Sequence, residues 1–523
     1  MGDNRSIATS QNLTEEATCV IGPASPPKRR HEAFQVRYHA AHFEKDIPLP
    51  EQHCNCDERL FPAKIANYSK ALPHNKLGQV DLDAYDAMIE ALQTGDPDKF
   101  EAIPLGGAVK LSNPQAAYAF EMAGPDSHHL SLIAPPGFSS AWLAGEMAEL
   151  YWQALCRDVP FTEYNTNPLT QAAANDLASF SDFRGPKINH KVTPQTLFRL
   201  DVPGALSGPY ISQFLWKDIP AGATTLVQLY RTPVAGIDFA AKNAEWLDLQ
   251  NGLTPTKALQ YDAVPRYIHT GRGLGEYVHK DFSFQAILNA CLILLGFGAD
   301  ALALSNPYLR STTQVGFATF GAPHILDFVV RTARIALEAA WFQKFLVHRR
   351  LRPEEFGGCV QNRLTGAADY PINAELLNSP VVTDIFSKYG TYLLPQAYPE
   401  GCPAHPAYPA GHASIAGAGV TMLKAFFNEC FVLPTPVVAS SDGLTLLPYS
   451  GPPLTLGNEL NKLAANVAMG RDFAGIHWRS DSSEGMKLGE TVAIRILQDY
   501  KRTYDEDFSG FVITKFDGTT IVI

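Results

Sequence analysis

The sequence predicts a mainly α protein, built of helical bundles with one small C-terminal β-hairpin. Three observations carry that expectation. After Pro323, apolar residues recur at helical spacing (Ile325, Phe328, Val329, Ala333, Ala336, Leu337, Ala340). After His412 comes a run of small residues (Ala413, Ala416, Gly417, Ala418) that suits a further helix. The tail FVITKFDGTTIVI sets β-branched residues on both sides of Asp517-Gly518, the pattern of a hairpin.

Residues 1–30 are polar, end in PASPPKRR and read as a flexible N-terminal arm. Residues 31–275 form an N-terminal helical region, with helices expected near 82–92 and 140–155. Breaks such as APPGF and DVPGALSGPY separate its pieces. Residues 276–523 form a C-terminal helical-bundle region. A helix is expected over 282–304, and another over 325–351 that begins near Pro323 and is stopped by Pro353. Further helices follow from His412 to about 427, over 459–469 and over 483–500, before the hairpin.

The chain has 523 residues and a net charge of -11, which argues against general nucleic-acid binding. Its eight cysteines are scattered, and Cys54 and Cys56 alone are near neighbours; C-x-C without a second pair is a poor zinc signal. The N-terminus has no continuous apolar core, so no secretory signal is expected and the default expectation is a soluble cytoplasmic protein. Asn4, Asn12 and Asn67 head glycosylation-type triplets that carry meaning only with export. The most apolar stretch, 286–304, is interrupted by Asn289, Gly296, Gly298 and Asp300 and reads as a buried helix rather than a membrane span.

Against this acidic background stand three basic clusters: KFLVHRRLRP from Lys344, HPAYPAGHA from His405 and GRDFAGIHW from Gly470. Lys344, His348 and Arg352 lie four residues apart, on one side of a helix, with Arg352 at its end. Taken alone, such cations merely complement a helix C-terminus. Pro409-Ala410-Gly411-His412 puts a tight turn before a helix, where free backbone amides meet an anion and Gly411 permits close approach. His412 then stands at the mouth, placed for proton transfer. Arg471 and His477, six apart between two expected helices, suit a nucleophile at a phosphorus centre or a ligand to a metal oxyanion.

In their order, K-x7-R-P, P-A-G-H and G-R-x5-H resemble the vanadium-dependent haloperoxidases, whose anion site is shared with the phosphatidic-acid-phosphatase and acid phosphatase superfamily. The strings QKFLVHRRLRPEEF, HPAYPAGHA and GIHWRSD are most similar to algal and cyanobacterial bromoperoxidases, over roughly residues 276–485. The resemblance implies vanadate as cofactor, one per subunit, with His477 as the vanadium ligand. It implies Lys344, Arg352, Arg471 and the Gly411 amide as vanadate-binding groups and His412 as the acid–base residue. The implied reaction is oxidation of bromide, with chloride or iodide as lesser substrates, by hydrogen peroxide to hypohalous acid that halogenates small organic molecules. A homo-oligomer is implied; calcium, known in some relatives, has no ligand string here.

Where the family usually has serine in P-S-G-H, this chain has Ala410, which removes one hydroxyl donor to vanadate. His405 matches the bromoperoxidase pattern and Trp341 the chloroperoxidase pattern, so the two halide-tuning positions point opposite ways. Asp281 either pairs with Arg352 or Arg471 or opens a helix at the surface. Asp481 is a candidate cap or outer support. The GRGLGE stretch at Gly271 reads as a loop. Two other readings remain open at this point. One is an acid phosphatase with His477 as nucleophile, and the other a non-catalytic phosphate binder.

Overall fold

The computed structural model describes residues 28–523. Most of the expected N-terminal arm, with the Asn4 and Asn12 triplets and Cys19, lies outside the described residues. The last two residues of that arm already belong to a helix, Arg29–Asp46, which buries none of its side chains. Among the described residues there are sixteen α-helices and three two-stranded antiparallel sheets. The mainly α expectation holds. The C-terminal hairpin pairs Val512–Thr514 with Thr520–Val522 around the Asp517-Gly518 turn. Two further hairpins, Ile219–Ala221 with Thr224–Leu226 and Val437–Ala439 with Leu446–Pro448, were not expected. Their strands are three residues long, too short for a period-2 signal.

The centre of the molecule is the Gly411–Phe426 helix, in which every residue except His412 is buried. It packs against Ala322–Phe342, Leu456–Phe473 and Arg479–Lys501. Its small residues allow that crowding. At Gly489 on the last of these helices, an added Cβ would lie 2.0 Å from the Ser414 carbonyl oxygen. Gly489→Ala is therefore expected to push two helices apart and to cost about 3 kcal/mol. A denaturant midpoint unchanged from wild type would contradict this packing.

Four local expectations are corrected. GRGLGE is not a loop but the start of the Gly271–Lys280 helix, capped by the Thr270 hydroxyl, which accepts from Gly273 N. An added Cβ at Gly271 would meet the Phe473 ring at 2.4 Å, so the glycine serves close helix packing. The 282–304 helix is shorter, Gln285–Gly296, because Gly298 takes a φ of +73° and a 3-10 turn follows. Pro353 does not stop the preceding helix. That helix ends in a π-helical turn over Gln343–His348, the chain turns at Arg349 with a φ of +40°, and Pro353 opens the next helix, Pro353–Leu364. Arg352 therefore caps the second helix instead of ending the first, and it does not share a helix face with Lys344 and His348.

The boundary expected at 275/276 falls inside the Gly271–Lys280 helix, and one apolar cluster runs continuously on both sides of it. No single described helix is long and apolar enough to cross a membrane. No two of the seven described cysteines are bonded to each other.

Candidate active site

The three basic clusters meet, and Arg352 is where they join. Its guanidinium donates from Nε to the His405 carbonyl oxygen (2.9 Å) and from one terminal nitrogen to the Ile476 carbonyl oxygen (3.0 Å). The same nitrogen lies 3.1 Å from His477 Nε2, and the other lies 2.9 Å from His405 Nδ1. Lys344, fully buried on the π-helical turn, donates to the carbonyl oxygens of Pro406 and Ala407 at 2.7 and 2.8 Å. Arg471, in the last turn of Leu456–Phe473, reaches His412 Nε2 at 3.1 Å, and its own Nε is buried without a partner. Ala410 caps the Gly411–Phe426 helix through its backbone alone. The first amides of that helix, beginning at Gly411, have no intrahelical acceptor and no side-chain cap.

The charge balance is the telling feature. Among the described residues no carboxylate forms an ion pair with Lys344, Arg352 or Arg471, although the chain is acidic and pairs most of its other buried cations. Burial, followed by the neighbouring Arg352, holds the Lys344 ammonium well below its usual pKa. The same two causes push His405 and His477 well below the usual histidine range. A compact, multiply charged oxyanion would relieve all three. Desolvated cations without counter-charges are costly, so the cradle fits such an anion.

The two remaining imidazoles are set up differently. His477 lies 2.9 Å through Nδ1 from Asp481 Oδ2, so Nδ1 carries the proton and Nε2 presents its lone pair to the cradle. His412 Nε2 lies 3.1 Å from Asp281 Oδ1 and 3.1 Å from an Arg471 N–H. The carboxylate favours a protonated Nε2, whereas the guanidinium favours a bare one. Burial and then Arg471 lower the His412 pKa while Asp281 opposes them, so this nitrogen is poised to take up and release a proton. Asp281 therefore partners His412, not Arg352 or Arg471, because it caps the end of Gly271–Lys280 beside the His412 ring.

Trp341 and His405 form one wall, with ring centroids 4.7 Å apart. The indole N–H donates to the Ser112 carbonyl oxygen, and a Cβ on Gly411 would sit 3.4 Å from the Trp341 ring. The two positions expected from the sequence to tune halide choice are thus a contacting pair.

An outer layer holds this arrangement, and of it the sequence offered only Asp481, as a candidate cap or outer support. Asp481 accepts from Trp478 N (3.0 Å), so it caps Arg479–Lys501, and it forms a 2.7 Å ion pair with Arg350. Arg350 also pairs with Glu146, which lies 204 residues away and accepts from Ser480 N. Glu355 accepts from the backbone of Arg352, Ser69 and Lys70, fixing the start of the Arg352 turn. The i,i+4 spacing of His477 and Asp481 was the available signal; Glu146 offered none.

His348 packs edge-on against Tyr408 in the HPAYPAGH turn, and burial lowers its pKa to about 3. His74 is lowered to about 4 by the same cause. Both are neutral in the fold and protonate near pH 6.5 when unfolded, so the unfolded chain binds more protons below that pH. The contribution of these two histidines to stability is expected to be fully present above about pH 7. As pH falls from about 6.5 towards 4, each histidine removes up to about 1.4 kcal/mol per unit. His348→Gln should flatten the fall seen in denaturant midpoints, and an unchanged slope would contradict this assignment.

Comparison with known proteins points one way. Residues 385–506 match the family model described as the VCPO second helical-bundle domain. A vanadium-dependent bromoperoxidase of Ascophyllum nodosum is 35% identical over 96% of this chain and 95% of the relative. One from Corallina officinalis is 33% identical over 95% and 98%. The homohexameric structure of a vanadate-dependent bromoperoxidase from A. nodosum superposes with a TM-score of 0.91 at 30% identity, covering 98% of this chain and 94% of that one.

Proposed function

The chain belongs to the vanadium-dependent bromoperoxidases, and from that premise we propose that it oxidises bromide with hydrogen peroxide, consuming one proton, to hypobromous acid and water. The observation that carries this reading is the set of three converging cations without carboxylate partners beside an imidazole whose Nδ1 is held by Asp481 and whose Nε2 faces the Arg352 guanidinium. Lys344, Arg352, Arg471 and the Gly411 amide would hold the oxygens of vanadate, with His477 Nε2 as the ligand to vanadium. When bound, vanadate supplies a Lewis-acid centre that activates peroxide towards a halide without a change of metal oxidation state.

The chain's own groups do the rest. The buried cations withdraw charge from the anion, and in a desolvated cradle they act far more strongly than in water. Nε2 of His412 would accept a proton from peroxide and give one back within the cradle, with Asp281 and Arg471 setting its balance. The Trp341–His405 wall restricts the approach of halide. Bromide is the main substrate of this proposal, and freely diffusing hypohalous acid then meets small organic molecules. A homo-oligomer is supported by the homohexamer of the A. nodosum relative.

The test is peroxide-dependent bromination by protein stripped of vanadate, before and after orthovanadate is added. Activity should appear only afterwards. Activity indifferent to vanadate, or hydrolysis of phosphate esters in its place, would overturn the reading in favour of the phosphatase alternative.

Ala410 offers a graded check. Its Cβ is fully buried at the helix N-cap, where a serine hydroxyl either donates to the anion or accepts from the first-turn amides. Ala410→Ser is expected to bind orthovanadate about tenfold more tightly, or to stabilise the fold by about 1 kcal/mol. A variant that does neither contradicts the placing of this position at the cradle.

A further inference from the structure

We propose a second metal site, for a zinc-type divalent ion, at Asp126, His128 and His129, remote in role from the anion cradle. One ligating atom from each of these side chains lies within 4.8 Å of the others, and Asp126 Oδ2 is 3.9 Å from His128 Nε2. Tetrahedral zinc with bonds of about 2.0–2.1 Å spaces its ligands by ~3.3 Å, so small rotations of two side chains close the set. The His128 side chain is 49% exposed and is free to make that movement. Two imidazoles and one carboxylate suit zinc, cobalt or nickel and not calcium, which takes oxygen ligands.

A second feature points the same way. His129 is buried, with its side chain 5% exposed, and its Nδ1 lies 3.3 Å from Glu44 Oε2; neither atom has a hydrogen-bond partner. A carboxylate against one nitrogen of an imidazole whose other nitrogen faces a metal is a common orienting arrangement, because it fixes the ring and raises its basicity. Arg495 forms an ion pair with the same Glu44, and Gly124 N donates to Asp499 Oδ2 at 2.9 Å. The site therefore joins the otherwise unburied Arg29–Asp46 helix to Arg479–Lys501, the helix that Asp481 caps. A bound ion would staple the N-terminal helix to the element that supports His477.

The experiment uses vanadate-loaded protein, so that the catalytic imidazoles are occupied, titrated with zinc by calorimetry and with cobalt(II) by visible absorption. One equivalent per chain is expected, with the intense bands of tetrahedral cobalt and a raised thermal midpoint. His128→Gln, at a half-exposed side chain that does not threaten folding, should weaken zinc binding at least about tenfold. Glu44→Gln should weaken it about tenfold to a hundredfold through the orientation of His129. Absence of saturable uptake, or uptake indifferent to both His128→Gln and Asp126→Asn, would overturn the proposal.

Discussion

His477→Ala is expected to abolish vanadate retention and, with it, essentially all peroxide-dependent bromination. The side chain is 3% exposed, its Nδ1 is committed to Asp481, and its Nε2 is directed at the Arg352 guanidinium within the cradle. Loss of the imidazole removes the only nitrogen assigned to the vanadium, while the cations remain. Residual binding should then resemble weak, salt-sensitive capture of any phosphate-like anion. His412→Gln is the matched comparison. It should retain orthovanadate yet lower turnover by about 10²–10⁴, the usual worth of a positioned acid–base group. Equal loss of binding in the two variants would contradict the division of roles between these histidines.

Asp481 carries the second large effect. One carboxylate orients His477, caps the Arg479–Lys501 helix at Trp478 N and neutralises Arg350, which is 2% exposed. Asp481→Ala leaves that arginine with Glu146 as its one carboxylate partner and removes the cap; a destabilisation of about 3–5 kcal/mol is expected from the buried pair. Asp481→Asn keeps the shape but loses the charge, and it no longer enforces the Nδ1-protonated form of His477. It should retain most of the fold and weaken vanadate binding about tenfold to a hundredfold. Urea midpoints and orthovanadate dissociation constants separate the two outcomes, and an Asn variant that binds like wild type would remove Asp481 from this role.

Much of the site was legible because it is encoded in short strings. The tight turn at Pro409–Gly411 and the small residues behind it announced the helix N-terminus, and the apolar spacing after Pro323 announced the helix that delivers Lys344. What failed was local grammar with two meanings. Pro353 stops a helix in one context and opens one in another, and here the π-helical turn and the Arg349 turn come first, so Arg352 reaches the cradle from a new helix. GRGLGE has too many glycines to look helical, yet Gly271 is there to admit the Phe473 ring. The outer supports depend on long-range contacts. Glu146 sits 204 residues from the arginine it meets, and no spacing rule reaches that far; Asp281 was singled out, but its partner 131 residues away, His412, was not.

The most direct measurement of the central claim is a calorimetric titration of vanadate-free protein with orthovanadate, repeated in the presence of phosphate. One vanadate per chain should bind, phosphate should compete for the same site, and bromination should rise in proportion to occupancy. Saturable bromination without bound vanadate, or vanadate binding that ignores both phosphate and the loss of His477, would contradict it.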